Sequence, residues 1–323
     1  MYRSKLKLTA VMLFVFIGTV SDVRGEDPIF TFMQFSDVHV GHENNIPHTR
    51  LQAAIALTNT LGVDFVIDTG DVTNDPVYAA TEENFSEYTE YKQYMSALTV
   101  PYYVTPGNHD IGYFDAESDP RNVEFADYDT LVARFEQEIG PLNQSFTHEG
   151  NRFVLINNNS AYGRQPGYLD PSRLEWIESE FQAARQNHEG IFVFCHVPVL
   201  ENGTGDPWGD SSIQLVELAD EYGVSLVAYG HEHDFIRTVL GETLYVMCQD
   251  VKENGHNSIL QYRIFSDTFE LWSHNVLTTE GTLLGTYPLH TPEPATILLA
   301  GIGILTMAGK RRKSPCFDAG LEI

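Results

Sequence analysis

The stretch Ile29-Phe30-Thr31-Phe32-Met33-Gln34-Phe35, followed at once by Ser36-Asp37-Val38-His39, decides the fold class of this chain. Seven residues rich in aromatic and β-branched side chains read as a buried strand, and a carboxylate and an imidazole stand two apart directly after it. Working outward, the same arrangement recurs. Residues 64–69 lead into Gly70-Asp71, residues 102–105 into Gly107-Asn108-His109-Asp110, residues 191–195 into His196, and residues 225–229 into Gly230-His231-Glu232-His233; residues 153–157 form a further strand pattern. Helical patterns fall between them at 48–61, 82–98, 128–139, 171–186 and 211–222, with Pro171 and Ser172 after Asp170 as a start signal. Such alternation predicts an α/β fold. After His233 the chain reads as consecutive strands at 235–240, 243–248, 259–265 and 268–273, expected to form an antiparallel meander, with 278–291 as a linker. No internal repeat is present.

In an open α/β sheet the crevice outside the carboxyl ends of the strands binds ligands, so five loops would aim polar groups at one place. Asp-x-His and His-x-His in extended backbone would present both side chains on one face. Cys195 then points away from His196, and the donor set is carboxylate, imidazole and amide without thiolate. That set suits Mn, Fe, Zn, Co or Ni better than a soft metal, and histidine disfavours a pure Mg or Ca site. Asp71 is the natural bridge between two ions, because a carboxylate has two oxygens and Gly70 allows a tight turn. Two ions about 3.5–4 Å apart can activate a shared water and stabilise both oxygens of an in-line displacement, which suits hydrolysis of a phosphate ester.

Asp37-x-His39, Gly70-Asp71, Gly107-Asn108-His109-Asp110, His196 and Gly230-His231-x-His233, in this order, resemble the calcineurin-like metallophosphoesterase superfamily, over roughly residues 29–275. The resemblance implies a four-layer αββα sandwich of two mixed β-sheets flanked by helices. It implies two divalent or trivalent transition-metal ions, Mn, Fe or Zn foremost. One would be held by Asp37, His39 and His233, the other by Asn108, His196 and His231, and Asp71 would bridge them. His109 would act as general acid or hydrogen-bond donor during attack by a metal-bound hydroxide. The motifs look closest to the cyclic-nucleotide phosphodiesterase-like branch. Protein Ser/Thr phosphatases carry an acid three positions after the bridging Asp, then an Arg; here Asn74 and Asp75 stand there, so phosphoproteins are disfavoured and an amide would orient His109.

The two ends of the chain speak of export. Residues 1–25 combine a basic start, an apolar run from 8 to 20 and Val23-Arg24-Gly25, the pattern of a secretory signal cut by signal peptidase. At the other end Pro292-Glu293-Pro294, an uncharged apolar run over 295–309 and Lys310-Arg311-Arg312-Lys313 resemble the PEP-CTERM sorting tail, here residues 292–323. That tail implies an exosortase-type partner, transient membrane anchoring through 295–309, and delivery to the envelope, cell surface or extracellular matrix of a Gram-negative-type bacterium. The enzymatic domain is then residues 26–277.

The whole chain has 323 residues and a formal charge of −26; without its basic ends the balance is −31. Such a charge repels polyanions, so nucleic-acid tracking is not expected and a small, nucleotide-like or other organophosphate mono- or diester is. The competing reading is a non-catalytic envelope or matrix binding protein on the same fold. Weaker expectations are that His42 and His48 are exposed loop histidines rather than substrate contacts, that Asn157-Asn158-Asn159 and Arg164 form a turn with a solvated Arg rather than a loop facing the crevice, that 201–210 with Trp208 is either a lid or a plain surface loop, and that Tyr113 and Phe114 pack into the core rather than stack a base. Cys195 and Cys248 are expected as buried free thiols.

Overall fold

The computed structural model describes residues 26–42, 46–112, 127–159, 167–201, 206–207, 209–251 and 256–291. The expected signal segment 1–25, the apolar run 295–309, Tyr113, Phe114, Arg164 and Trp208 lie outside the described residues. Among the described residues no helix is long and apolar enough to cross a membrane.

In chain order the first half comprises β1 (Phe30–Phe35), α1 (Ile46–Leu61), β2 (Phe65–Asp68), α2 (Glu82–Met95), β3 (Tyr102–Val104), α3 (Asn108–Ile111), α4 (Tyr128–Glu138), β4 (Gln144–His148) and β5 (Asn151–Leu155). The second half comprises α5 (Pro171–Asn187), β6 (Gly190–Phe194), α6 (Asp210–Tyr222), β7 (Leu226–Tyr229), β8 (Ile236–Leu240), β9 (Thr243–Met247), β10 (Ser258–Ile264), β11 (Thr268–Asn275) and β12 (Gly281–Pro288). They build two six-stranded mixed sheets, ordered β12-β11-β10-β1-β2-β3 and β4-β5-β6-β7-β9-β8. Helices pack on the outer faces, giving the expected αββα sandwich.

Alternation along β1 shows how the layers form. Phe30 and Phe32 face the second sheet, and Met33 and Phe35 face the helices. Phe32 stacks on Phe65 and Tyr262 at 5.2 and 4.7 Å and meets Phe153, Phe192 and Phe194 edge-on, so an aromatic layer joins the sheets. Near the rim the buried Gln34 links the sheets by donating to Thr69 Oγ1 and to the Tyr229 carbonyl while accepting from the Tyr262 hydroxyl. Helix α5 starts as expected: the Asp170 side chain accepts from the Arg173 amide, Pro171 begins the first turn, and His188 ends the helix at φ 57°. Cys195 and Cys248 are buried free thiols.

Two expectations need correction. The strands after His233 are not one meander. The β8–β9 hairpin joins the second sheet, with β9 parallel to β7, whereas β10, β11 and β12 extend the first sheet from β1. Residues 278–291 are not a linker either, because β12 pairs antiparallel with β11 and Leu289 is buried in the inter-sheet core. Strand β12 is an edge strand with a register shift opposite Leu271/Trp272, and that breaks the alternation by which a strand is recognised. The short polar edge strand β4 gave no such signal.

Candidate metal centre

Strands β1, β2 and β3 are mutually parallel, as are β5, β6, β7 and β9, so the loops following them gather at one rim. The loops after β1 and β2 run side by side, with the Asp37 amide donating to the Gly70 carbonyl and the His39 amide to the Asp71 carbonyl. The backbone there is not extended, contrary to the sequence-based expectation. Asp37, His39, Asp71, His231 and His233 all have positive φ, between 49° and 82°. This conformation is costly for residues with a Cβ and concentrates where function holds it in place. Two glycines make room for the donors: a Cβ on Gly107 would overlap Asp71, and one on Gly230 would overlap Ser36 and Asp37.

All seven expected metal ligands come together. On one side, His233 Nε2 lies 3.4 Å and His39 Nε2 3.9 Å from Asp37 Oδ1. On the other, Asn108 Oδ1 lies 3.0 Å from His196 Nε2 and 2.8 Å from His231 Nδ1, and these two nitrogens are 3.3 Å apart. Asp71 Oδ2 stands between, 3.6 Å from His39 Nε2 and 3.4 Å from His196 Nε2. Ligands held at about 2.1 Å around one ion are roughly 3.0–3.4 Å from each other, so the donors are spaced as the coordination shells of cations require. Among the described residues three groups of donors are close enough to share a divalent cation: Asp37-His39-His233 and Asp71-His196-His231, the two triads that match the expected pair of sites, and His39-Asp71-His109 between them. Asp71 Oδ2 is within 3.6 Å of nitrogens from both sides, and Oδ1 accepts the His109 amide at 2.8 Å.

Electrostatics agree with a cation site. Burial alone would raise the carboxyls of Asp37 and Asp71. The hydrogen bond and charge of His233 with the charge of His196 overcome it at Asp37, and His196, His109 and His39 overcome it at Asp71, so both lie well below the usual range. Burial works against protonated His196, yet the Asp71 charge raises it to about 9. Burial and the His196 charge push His231 down to about 3.

His109 lies at the edge of the centre, its ring 4.6 Å from that of His39 and 5.5 Å from that of Tyr78. Its Nδ1 meets the backbone carbonyl of Asn74 at 2.8 Å, so Asn74 does hold this ring, but through its main chain and not its side-chain amide. Asn157, Asn158 and Asn159 are buried. Asn158 Oδ1 accepts the His196 and Val197 amides, and Asn159 Nδ2 donates to the Pro106 carbonyl, which fixes the loops after β6 and β3. His48 pairs with Glu90 at 3.5 Å and belongs to neither triad.

Sequence reasoning missed Asp250, which is fully buried after β9 with Oδ2 3.2 Å from His233 Nδ1 and 3.4 Å from His256 Nδ1. Its position after a strand was a signal, but only if β9 was known to run parallel to β7. Also missed was Asp68, whose carboxyl accepts from the Gly70 amide and the Tyr91 hydroxyl and is pushed up to about 7 by burial.

The chain belongs to the calcineurin-like phosphoesterase family, whose model matches residues 30–235. The PEP-CTERM protein-sorting motif matches residues 290–313 and points to export to the cell envelope and to an exosortase partner. A probable glycerophosphodiester phosphodiesterase, GpdQ, of Arcobacter nitrofigilis is 28% identical over 67% of this chain and 76% of its own length. A 3',5'-cyclic-nucleotide phosphodiesterase of Nostoc sp. is 28% identical over 54% of this chain and 58% of its own. A dimetal phosphatase from Danio rerio shares the fold, with a TM-score of 0.60 at 16% identity, covering 82% of this chain and all of that one. The protein is a metallophosphoesterase, a hydrolase of phosphoric ester bonds.

Proposed function

We propose that the protein is an exported, dinuclear-metal-dependent phosphodiesterase acting on a small organophosphate diester such as a nucleotide-like or glycerol-type ester. The observation that carries this reading is the pair of donor triads joined by Asp71, whose Oδ2 is within 3.6 Å of His39 on one side and 3.4 Å of His196 on the other. Asp37, His39 and His233 would hold one ion, and Asn108, His196 and His231 the other. Ions bound there would supply the Lewis acidity that phosphate-ester hydrolysis needs. The names of the two curated relatives above, both phosphodiesterases, support the diester over the monoester. The charge of −26 disfavours polyanionic substrates.

Within this reading each residue has a defined task. The Asp71 carboxylate spans the two triads with Oδ2 and anchors the His109 backbone with Oδ1. His109, with Nδ1 committed to the Asn74 carbonyl, turns Nε2 to the substrate and carries the proton that the leaving alkoxide takes up. The sorting tail anchors the chain transiently in the membrane before release at the surface, which suits scavenging or turnover of external phosphodiesters.

The test is hydrolysis by the protein loaded with Mn, Fe or Zn in turn, comparing bis-p-nitrophenyl phosphate with p-nitrophenyl phosphate. Asp71→Ala should lose metal and activity together, and His109→Ala should keep its metal while losing turnover by about 10²–10⁴-fold. A preference for the monoester would refute the diester assignment, and full metal occupancy in Asp71→Ala would refute the bridge.

A further inference from the structure

Helix α2 turns a polar edge of its buried face toward the loops beneath the metal centre. The Tyr88 hydroxyl donates to the Asp110 carbonyl and the Tyr91 hydroxyl to Asp68 Oδ2, each at 2.9 Å. Asn84 Nδ2 donates to the carbonyls of Asp75 and Ala79. Glu87, only 7% exposed, accepts the backbone amides of Asn74 and Asp75 on Oε2, at 2.7 and 3.0 Å. The Asp75 amide and the Asn74 carbonyl are two ends of one peptide group, and that carbonyl meets His109 Nδ1 at 2.8 Å. A planar trans peptide points its N–H and C=O in opposite directions, so the three groups form a line from carboxyl through peptide to imidazole. Hydrogen bonds in such a chain polarise one another, which makes the carbonyl a better acceptor.

We propose that Glu87 is a positioning residue for His109, acting through the Asn74–Asp75 peptide, whose amide its Oε2 accepts and whose carbonyl holds the imidazole. It rests on the placement of His109 as proton donor. The position three residues after Asp71, where a direct orienting acid would stand, holds Asn74, and a hydrogen-bond acceptor is supplied instead from α2 by way of the backbone. The fold reserves space for it: Gly41, at φ 101°, lies so close that a Cβ there would overlap the Glu87 carboxyl. Burial pushes this carboxyl up to about 8, so at neutral pH it is largely protonated and Gln is its close isostere.

The test uses the metal-loaded, full-length chain with Glu87→Ala, Glu87→Gln, His109→Ala and the double variant Glu87→Ala/His109→Ala. Substrates are a p-nitrophenyl diester and an alkyl diester, because a poor leaving group depends most on the donated proton. Glu87→Ala is expected to lower kcat for the alkyl ester at least tenfold, with KM within twofold and metal content per chain unchanged. Glu87→Gln should restore kcat to within about threefold of the unaltered enzyme. In the His109→Ala background, Glu87→Ala should cost nothing further. In the Zn-loaded protein the downfield Nδ1 proton resonance of His109 should shift in Glu87→Ala and return in Glu87→Gln. A tenfold loss that persists without His109, or wild-type kcat in Glu87→Ala, would overturn the inference while leaving the function standing. Wild-type kcat in His109→Ala would overturn the role of His109 and the inference with it. If Glu87→Ala does not fold, Glu87→Leu, which keeps the side-chain bulk and removes the acceptor, is read by the same criteria.

Discussion

Replacing Asp250 by Asn should weaken one metal site and spare the other. Asp250 Oδ2 lies 3.2 Å from His233 Nδ1, and the carboxylate is fully buried while His233 is 22% exposed. A His233 that coordinates through Nε2 must donate its Nδ1 proton, so Asp250 selects the tautomer and aims the ring. A hydrogen bond to a charged group contributes about 1.5–3 kcal/mol and one to a neutral group about 0.5–1.5 kcal/mol, so exchanging carboxylate for amide costs about 1–1.5 kcal/mol. At about 1.4 kcal/mol per decade this is roughly a tenfold rise in Kd for the ion held by Asp37, His39 and His233. Titration of apoprotein against a competing chelator, with metal per chain measured by mass spectrometry, resolves the two sites. The ion at Asn108, His196 and His231 should keep its affinity, because the Asp250 carboxylate stands behind His233 of the other site. Equal weakening of both sites, or none at either, would refute the assignment.

Three further outcomes follow from packing and charge. Phe32→Ala removes a fully buried ring from the aromatic layer between the sheets and should cost about 3–5 kcal/mol in denaturant unfolding of the apoprotein; a loss below 1 kcal/mol would mean that the layer closes around the gap. Chelation should lower Tm, since the buried Asp37 and Asp71 carboxylates lose the cations that bind only the folded chain; an unchanged Tm at saturating chelator counts against the site. Glu87 has a folded pKa of about 8 against an ordinary value of 4.5, so the folded state binds the extra proton between these limits. Its contribution to stability is therefore present at low pH and lost as pH rises from about 5 to 8. Glu87→Gln should flatten this part of the stability profile, and a profile identical to that of the unaltered protein would show that Glu87 does not titrate there.

Every donor of the two triads could be named from the chain, because each stands directly after a strand whose hydrophobic pattern is local. The same holds for α5, where Asp170 and Pro171 mark the start, and for the sorting motif, which depends only on consecutive residues. Asp250 and Glu87 could not be named this way. Asp250 approaches His233 only because β9 lies parallel to β7, and Glu87 approaches the Asn74–Asp75 peptide only because α2 packs over the loops after β2 and β3.

The reason lies in what side-chain periodicity reports. A period of two or of 3.6 says that one face of a segment is buried, which is enough for the strand, the helix and the loop between them. It is silent on which sheet receives the strand and in what direction. The partners of β1 show this: Phe32 pairs with Phe65 in β2 and with Tyr262 in β10, about 200 residues apart along the chain, and neither pairing leaves a mark on the local sequence. Donor identity and order therefore belong to the sequence. The sheet membership of β8 to β12, the placement of Asp71 between the histidines of both triads, and the buried acids behind His109 and His233 belong to long-range packing, where distant segments compete for the same apolar layer.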